Sequence, residues 1–204
     1  MTASNITLIV GGGHAGGRAA GALRAAGRKD PIMIIGAEPY VPYERPPLSK
    51  GVLSGIAKQD TLAIHPLSFY DENEIELRLN TKVERIFPES NSVQLDDGAT
   101  IVYQQLLLCT GAQPRQLSIQ GADNNLVFYL RTRDDASSLR LRLKSECRLA
   151  VIGGGLIGLE VAATARMLGC DVKVFEADKV LLGRLQVPTL SEFVRGLHDK
   201  NGVE

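Results

Sequence analysis

The 204-residue chain has few cysteines, no net charge and no long apolar run, and each of these absences excludes a class of protein. Cys109, Cys147 and Cys170 include no C-x-x-C pair, which argues against a disulfide framework, a metal knuckle and a dithiol redox centre. We therefore expect no metal site. This cysteine content fits a reducing cytoplasm.

Positive and negative side chains balance, because Lys plus Arg and Asp plus Glu both total 23. A balanced chain has no overall attraction to nucleic acid or to an anionic membrane. The apolar run at 6–10 is too short for a signal peptide or a membrane span, and no other stretch approaches spanning length. We expect neither nucleic acid nor a membrane among the partners.

A strand–turn–helix–strand pattern opens the chain. Residues 6–10 predict a buried parallel strand, 11–17 a glycine-rich turn, 18–27 a helix and 31–36 a second buried strand. The same order returns at 149–152, 153–158, 159–168 and 172–175. Two such βαβ units predict an α/β fold with two Rossmann-like dinucleotide-binding domains.

The rest of the chain contains shorter predicted elements. Four prolines at 37–60 predict a shaped loop. Residues 75–102 predict short strands, with a hairpin turn at Asp97-Gly98, and 106–109 a buried strand. An amphipathic helix is predicted at 189–200, and a further strand is expected to begin at 202–204.

The first glycine turn has the sequence Gly11-x-Gly13-x-x-Gly16. Its glycines suit a tight turn, a close approach of the backbone to a pyrophosphate, and close packing of helix on strand. The helix N-terminus that follows offers unpaired N–H groups to phosphates. Glu38, at the end of the second strand, is placed to accept hydrogen bonds from the ribose hydroxyl groups.

The second turn has the same spacing, Gly153-x-Gly155-x-x-Gly158, and Glu176 follows its second strand. A carboxylate at that position favours NADH, since it would repel a 2′-phosphate, although Arg184 lies nearby in the sequence. Two turns of this kind in one chain indicate two dinucleotides, a bound flavin and an exchanging nicotinamide.

Three further segments carry a resemblance to a known family. They are Tyr43-Glu44-Arg45-Pro46-Pro47-Leu48-Ser49-Lys50, Leu106 to Ala112 and Val151 to Ala163. In these the chain resembles the FAD-dependent ferredoxin reductases of bacterial aromatic-ring dioxygenase and cytochrome P450 systems, together with rubredoxin reductases, monodehydroascorbate reductase and apoptosis-inducing factor. The resemblance covers essentially all 204 residues.

The resemblance, with the two motifs, implies a set of site residues. FAD is expected at Gly11, Gly13, His14, Ala15, Gly16, Glu38, Arg45, Lys50, Val83, Thr110, Gly111, Ala112 and Arg131. NADH is expected at Gly153, Gly155, Leu156, Ile157, Gly158, Glu160, Glu176 and Arg184. Lys50 is expected near the flavin ring, paired with Glu160 beside the nicotinamide, and these two are the candidate catalytic residues.

The implied domains are an FAD-binding domain at 1–113, a connection with an FAD-contacting segment at 114–145, and an NADH-binding domain at 146–204. The family continues for roughly another chain's length. The resemblance therefore implies that the closing part of the FAD domain and most of the NADH domain are truncated here. The expected architecture is the FAD/NAD-linked reductase fold.

The expected activity is hydride transfer from NADH to FAD, followed by single-electron transfers to a [2Fe-2S] ferredoxin serving an aromatic-ring dioxygenase. The complete protein is a candidate homodimer. The acceptor could instead be rubredoxin or a small molecule such as monodehydroascorbate or nitrite. Two competing hypotheses are an NADH-sensing flavoprotein and a truncated, non-catalytic nucleotide-binding fragment.

Overall fold

The computed structural model describes residues 5–204, which divide into two compact units. The first unit comprises the chain up to Glu44 together with Leu62–Gln113, and the second comprises Arg45–Thr61 and Pro114–Glu204. Residues 45–61 therefore belong to the second unit, although they lie in the sequence between the two segments of the first unit. The functional domains 1–113, 114–145 and 146–204 remain predictions, because compactness does not show which nucleotide a unit binds.

Within residues 5–204 the secondary structure consists of nine strands and six α-helices. The strands are β1 (Thr7–Val10), β2 (Ile32–Ile35), β3 (Ile75–Arg78), β4 (Val83–Phe87), β5 (Ser92–Leu95), β6 (Thr100–Val102), β7 (Gln105–Leu108), β8 (Arg148–Ile152) and β9 (Asp171–Phe175). The helices are α1 (His14–Ala25), α2 (Gly51–Ser54), α3 (Leu67–Glu72), α4 (Arg133–Arg142), α5 (Leu156–Met167) and α6 (Pro188–Lys200). Within residues 5–204, every helix is too short or too polar to span a membrane.

The first unit is built on a parallel sheet with the strand order β3-β2-β1-β7. Successive residues of a strand face opposite sides, so the sheet contributes to two cores. Ile9 and Ile34 pack with Ala20 of α1 and Tyr70 of α3 on one side. On the other side, residues such as Val10 pack with the antiparallel sheet β4-β5-β6. Burial on both faces explains the continuous apolar runs of β1 and β2.

The antiparallel sheet confirms the predicted hairpin. Strands β5 and β6 pair with Val93 opposite Ile101, and the turn between them contains Asp97 and Gly98. Gly98 has a φ of +82°, a conformation that glycine adopts without strain. The Asp97 carboxylate accepts a hydrogen bond of 2.9 Å from the backbone N–H of Ala99 and so fixes the turn.

The second unit contains β8 and β9, which pair in parallel and are joined by α5. Val161, Ala162 and Ala165 of α5 are buried against this pair, in one cluster with Leu139 of α4 and Leu53 of α2. Val203 forms a single parallel bridge to Val172, where the sequence predicted that another strand would begin.

Both helices that follow the glycine turns begin earlier than the sequence analysis predicted. The helix predicted from Arg18 begins at His14, and the helix predicted from Leu159 begins at Leu156. The reason is that the third glycine of each motif lies within the first turn of its helix. The loop predicted at 37–60 forms no strand, but it does contain helical turns, which begin at Pro46.

Candidate functional site

The first glycine turn joins β1 to α1 and is held tightly by its neighbours. Gly11 has a φ of +119°, and its N–H donates a hydrogen bond of 2.8 Å to Ile35 O. A Cβ added to Gly11 would overlap the carbonyl oxygen of Cys109, and one added to Gly16 would overlap Gly11 O. Backbone conformation and packing therefore require glycine at Gly11, and packing requires it at Gly16.

Gly13 is the N-cap residue of α1 and is extended, with φ −100° and ψ −164°. No side chain of the described residues caps this helix. The first N–H groups of α1 are thus available to an anion, which the positive end of the helix dipole also favours. His14 and Ala15, the first two helical residues, are exposed beside them.

Three parallel strands bring the other residues of this site to the same edge of the sheet. β1, β2 and β7 are neighbours, so Gly11, Glu38 and Thr110 all follow the carboxyl ends of adjacent strands. Glu38 accepts a hydrogen bond of 2.6 Å from the hydroxyl of Tyr43, a side chain that is almost fully buried. Gly111 and Ala112 continue the segment after β7. Ligands of open α/β sheets bind at this edge.

Val83 lies elsewhere in the first unit. It opens β4 and pairs with Leu95 of β5, and its side chain packs against the core between the parallel and antiparallel sheets. The structure thus gives the Val83 side chain a packing role, and its contact with FAD stays a prediction.

The second glycine turn, between β8 and α5, repeats this backbone with more room. Gly153 has a φ of +103° and donates to Phe175 O at 2.7 Å, and a Cβ on Gly158 would overlap Gly153 O. Gly155 is the N-cap residue of α5 at φ −82° and ψ 176°, a conformation open to any residue. Apart from its chain neighbours and its own helix, no heavy atom of residues 5–204 lies within 4 Å of a Cβ built on Gly155.

Neither conformation nor packing within residues 5–204 therefore requires glycine at 155. Close approach of a ligand to the backbone does explain it, and the N-terminus of α5, which no described side chain caps, supplies N–H groups for phosphate. The residues present fit a dinucleotide.

Glu176, directly after β9, is hydrogen-bonded to the backbone of the second turn. Its carboxylate accepts hydrogen bonds from the N–H of Gly154 at 2.5 Å and of Asp178 at 2.9 Å. These hydrogen bonds lower the pKa of Glu176 below its ordinary value, and the bond from Asp178 has the largest effect. Glu176 is therefore a carboxylate at neutral pH. Leu156 and Ile157 are more than half exposed at the start of α5, and Arg184 is exposed in a 3₁₀ turn.

The two candidate catalytic residues form an ion pair within the second unit. Lys50 Nζ lies 2.8 Å from Glu160 Oε2, and the same oxygen accepts a hydrogen bond of 2.5 Å from the Ser49 hydroxyl. Lys50 Nζ also donates to Pro46 O at 3.1 Å. Ser49 is 4% exposed, whereas the Lys50 side chain is 51% exposed. The Lys50 ammonium is thus exposed to solvent, while the Glu160 carboxylate is held by a hydrogen bond from the buried residue Ser49.

A second contact fixes the same segment to α5. The hydroxyl of Thr164, which is buried, donates to the backbone oxygen of Ser49 at 2.8 Å. Glu160 and Thr164 lie four residues apart and so share one face of the helix. Helix α5 therefore holds Ser49 by both its side chain and its backbone, which sets the position of Lys50.

Two predicted FAD residues also meet in the second unit. Arg45 donates from Nη1 to Arg131 O at 2.7 Å. Asp135 fixes this segment, since its carboxylate accepts from the N–H of Arg131 at 2.9 Å and of Thr132 at 2.7 Å. The second of these bonds belongs to the capping box that begins α4.

The sequence analysis missed four supporting residues: Tyr43, Ser49, Asp135 and Thr164. The spacing Thr-x-x-Asp at 132–135 is a sequence signal of a capping box, and it could have identified Asp135. The four-residue spacing of Glu160 and Thr164 indicates a shared helix face. No local pattern signals that Ser49 reaches Glu160, because more than one hundred residues separate them.

The chain belongs to the family of pyridine nucleotide-disulphide oxidoreductases, whose model matches residues 6–204. It is 43% identical over 196 residues to the ferredoxin–NAD(+) reductase component of the anthranilate 1,2-dioxygenase system of Burkholderia cepacia, a match that covers 96% of this chain and 48% of that protein. It is 39% identical over 196 residues to a rubredoxin–NAD(+) reductase of Pseudomonas putida, a match that covers 96% of this chain and 51% of that protein.

Among solved structures, the covalent putidaredoxin reductase–putidaredoxin complex matches with a TM-score of 0.93 and 38% identity, covering all of this chain and 49% of that one. The resemblance and the FAD/NAD-linked reductase fold are thereby confirmed. The chain spans about half the length of these relatives.

Proposed function

We propose that the complete protein is an FAD-dependent NADH:ferredoxin oxidoreductase whose ferredoxin is of the [2Fe-2S] type and serves an aromatic-ring dioxygenase. The observation that carries this proposal is the repeated glycine turn followed by an acid, once in each unit, on a chain of this family. The relative from the anthranilate dioxygenase system supports the choice of acceptor. When bound, FAD would supply the hydride acceptor for NADH and the one-electron chemistry that a ferredoxin requires.

The residues proposed to contact FAD are those that the resemblance implies. In the first unit the turn at Gly11, Gly13 and Gly16 with His14 and Ala15 would hold the pyrophosphate, and Glu38 the ribose; Val83, Thr110, Gly111 and Ala112 complete that set. In the second unit Arg45, Lys50 and Arg131 are the proposed contacts. The uncapped N–H groups of α1 fit a diphosphate.

For NADH, we propose that Gly153, Gly155 and Gly158 seat the pyrophosphate and that Glu176 binds the adenosine ribose. The carboxylate of Glu176 already organises the turn through Gly154, and it would repel a 2′-phosphate. The exposed apolar side chains of Leu156 and Ile157 offer surface to the nucleotide, and Arg184 is a further contact.

Lys50 and Glu160 are the proposed catalytic residues. A fixed cation favours the transfer of negative charge to the cofactor, and little reorganisation is needed if that cation is already held in place. Glu160 holds the Lys50 ammonium at 2.8 Å, and Ser49 and Thr164 hold this arrangement from the buried side. We regard Ser49 and Thr164 as positioning residues.

One alternative acceptor has specific support. The rubredoxin–NAD(+) reductase of Pseudomonas putida is 39% identical to this chain, so rubredoxin is the second candidate. We further propose a cytoplasmic location, which the three cysteines, all free thiols here, would suit, and a homodimer for the complete protein.

The test uses the complete protein. We expect it to purify with bound FAD, to lose its flavin absorbance when NADH is added anaerobically, and to reduce a [2Fe-2S] ferredoxin faster than rubredoxin at equal concentration. A Gly155→Ala variant, which should keep the flavin but not respond to dilute NADH, is the control for the nicotinamide site. A colourless protein that binds neither nucleotide would overturn the proposal, and faster reduction of rubredoxin would support the alternative.

A further inference from the structure

Cys147 and Cys170 lie next to each other although 23 positions separate them in the sequence. Each immediately precedes a strand, Cys147 before β8 and Cys170 before β9, and the first residues of these strands, Arg148 and Asp171, are registered partners. Backbone pairing continues beyond the strands, because Asp171 N–H donates to Cys147 O at 2.7 Å and Glu146 N–H donates to Gly169 O at 3.0 Å.

The two side chains share one side of this strand pair. Cys170 is fully buried in the core of the second unit, and Cys147, half-buried, packs against the same core. Neighbouring strands lie about 4.8 Å apart, which falls within the roughly 4.4–6.8 Å between the Cα atoms of disulfide-bonded cysteines. Burial is the main cause that raises the pKa of the Cys170 thiol, and the neighbouring Cys147 side chain raises it further.

We propose that Cys147 and Cys170 form an oxidisable dithiol that a hydroperoxide, such as hydrogen peroxide, converts into a disulfide. The Cys147 sulfur, which is the more accessible, attacks one peroxide oxygen. The O–O bond breaks, one water leaves, and a sulfenic acid remains on Cys147. The Cys170 sulfur then attacks Cys147 Sγ and the S–O bond breaks, releasing a second water. The two thiols thus supply both the electrons and the protons that reduce the peroxide.

The position of the pair gives the bond a structural consequence. The two cysteines flank residues 148–169, which comprise β8, the second glycine turn and α5. A disulfide would therefore join the two ends of the segment that carries the proposed NADH turn. Cross-linking restricts the unfolded chain, so the oxidised protein should unfold at a higher temperature than the reduced one.

The test does not depend on bound nucleotide. The complete protein is treated with hydrogen peroxide, alkylated, and digested with trypsin without reduction. Trypsin separates the cysteines, since Cys147 falls in the peptide Ser145–Arg148 and Cys170 in Met167–Lys173. We expect these two peptides to be linked, with a mass two hydrogens below their sum, and dithiothreitol to separate them.

Variants distinguish the pair from general oxidation. Cys109→Ser should leave the linked peptides unchanged, because the proposed disulfide joins the two cysteines that precede the paired residues Arg148 and Asp171 and does not include Cys109. Cys147→Ser should abolish the link and leave Cys170 available for alkylation after unfolding. The proposal would be overturned if Cys147 were oxidised to sulfinic acid with Cys170 still alkylatable, or if Cys147 were linked to a different peptide.

Discussion

The two glycine turns share a motif but differ in what requires their glycines. In the first unit Gly11 is confined by Cys109 of a neighbouring segment, and a Cβ on Gly12 would lie 3.1 Å from Gly36 Cα. In the second unit, no described atom meets a Cβ on Gly153 or Gly155, and a Cβ on Gly154, the counterpart of Gly12, would meet side chains only, Leu181 Cδ2 at 2.5 Å and Glu176 Oε2 at 3.2 Å. Among the described strands, β1 has a paired strand on each side, and β8 pairs with β9. Within residues 5–204, the first two glycines of the turn are thus confined by the backbone of neighbouring segments in the first unit and not in the second.

The helices that follow the two turns differ in how each holds a charged side chain. Arg18 and Glu160 occupy equivalent positions, each two residues beyond the third glycine of its motif. Arg18 forms an ion pair of 3.3 Å with Glu44, in which both side chains are largely exposed. Glu160 forms an ion pair of 2.8 Å with Lys50. Its carboxylate also accepts a hydrogen bond from the hydroxyl of Ser49, a buried residue. The second helix therefore presents an anchored charge where the first presents a solvated one.

The largest effect is expected at Gly11. Gly11→Ala combines a strained φ with overlap against a backbone carbonyl, so we expect the unfolding free energy to fall by about 3 kcal/mol or more. Gly153→Ala has the strained φ without the overlap, so the expected loss is about 1–2 kcal/mol. Denaturant unfolding followed by circular dichroism measures both. Equal losses would show that packing does not distinguish the turns.

Gly155→Ala should separate binding from stability. The added Cβ meets no described protein atom, so we expect unfolding free energy to change by less than about 1 kcal/mol. A bound pyrophosphate would meet that Cβ, so calorimetric affinity for NADH should fall at least about tenfold. Gly196→Ala in α6, where a Cβ likewise meets nothing, is the matched control and should leave NADH affinity unchanged. Unaltered affinity in Gly155→Ala would contradict the role of this turn.

Ser49→Ala tests the anchored charge. Loss of a hydrogen bond to a carboxylate is expected to slow flavin reduction at saturating NADH about tenfold, with a smaller change in the NADH concentration for half-maximal rate. Stopped-flow absorbance measures both, and Ser49→Thr, which keeps a hydroxyl, should recover part of the rate.

Two variants serve as controls for this experiment. Ser54→Ala removes a nearby hydroxyl that donates to Gly51 O, and Arg18→Ala breaks the exposed pair on the first helix. Both should reduce flavin at the rate of the unaltered protein, since the Ser54 hydroxyl donates to Gly51 O and not to Glu160, and since exposed ion pairs such as that of Arg18 contribute little. If Ser54→Ala slowed the reaction as much as Ser49→Ala, the effect would belong to the segment and not to Glu160.

The smallest effect concerns acid and the second turn. Because hydrogen bonds lower the pKa of Glu176, its contribution to stability is present above its ordinary value of 4.5 and is lost as the pH falls through the lowered pKa. Glu176→Gln should therefore lose less unfolding free energy than the unaltered protein between about pH 6 and about pH 3. Urea titrations at both pH values measure this, and identical pH dependence would show that the carboxylate does not organise the turn.

Much of the local structure could be predicted from residue patterns. The apolar runs of β1 and β2, the glycine spacing and the Asp97-Gly98 turn all indicate conformations that depend on neighbours in the sequence. Helix starts were wrong by three or four residues, because a glycine inside the first turn of a helix looks like part of a loop. The packing of residues 45–61 within the second unit depends on contacts between distant residues, such as Arg140 Nη1 to Leu53 O at 2.7 Å, which no local pattern specifies.

Residue patterns alone predicted the two βαβ units and the glycine turns, because strand burial, helix periodicity and positive φ are properties of short stretches of chain. Matching motifs indicated the family. The folded chain was needed to show that Ser49 hydrogen-bonds to Glu160, that Arg45 hydrogen-bonds to Arg131, and that Cys147 lies beside Cys170. Each of these contacts joins residues far apart in the chain. Such contacts depend on how strands register and helices pack, which no local pattern of residues specifies.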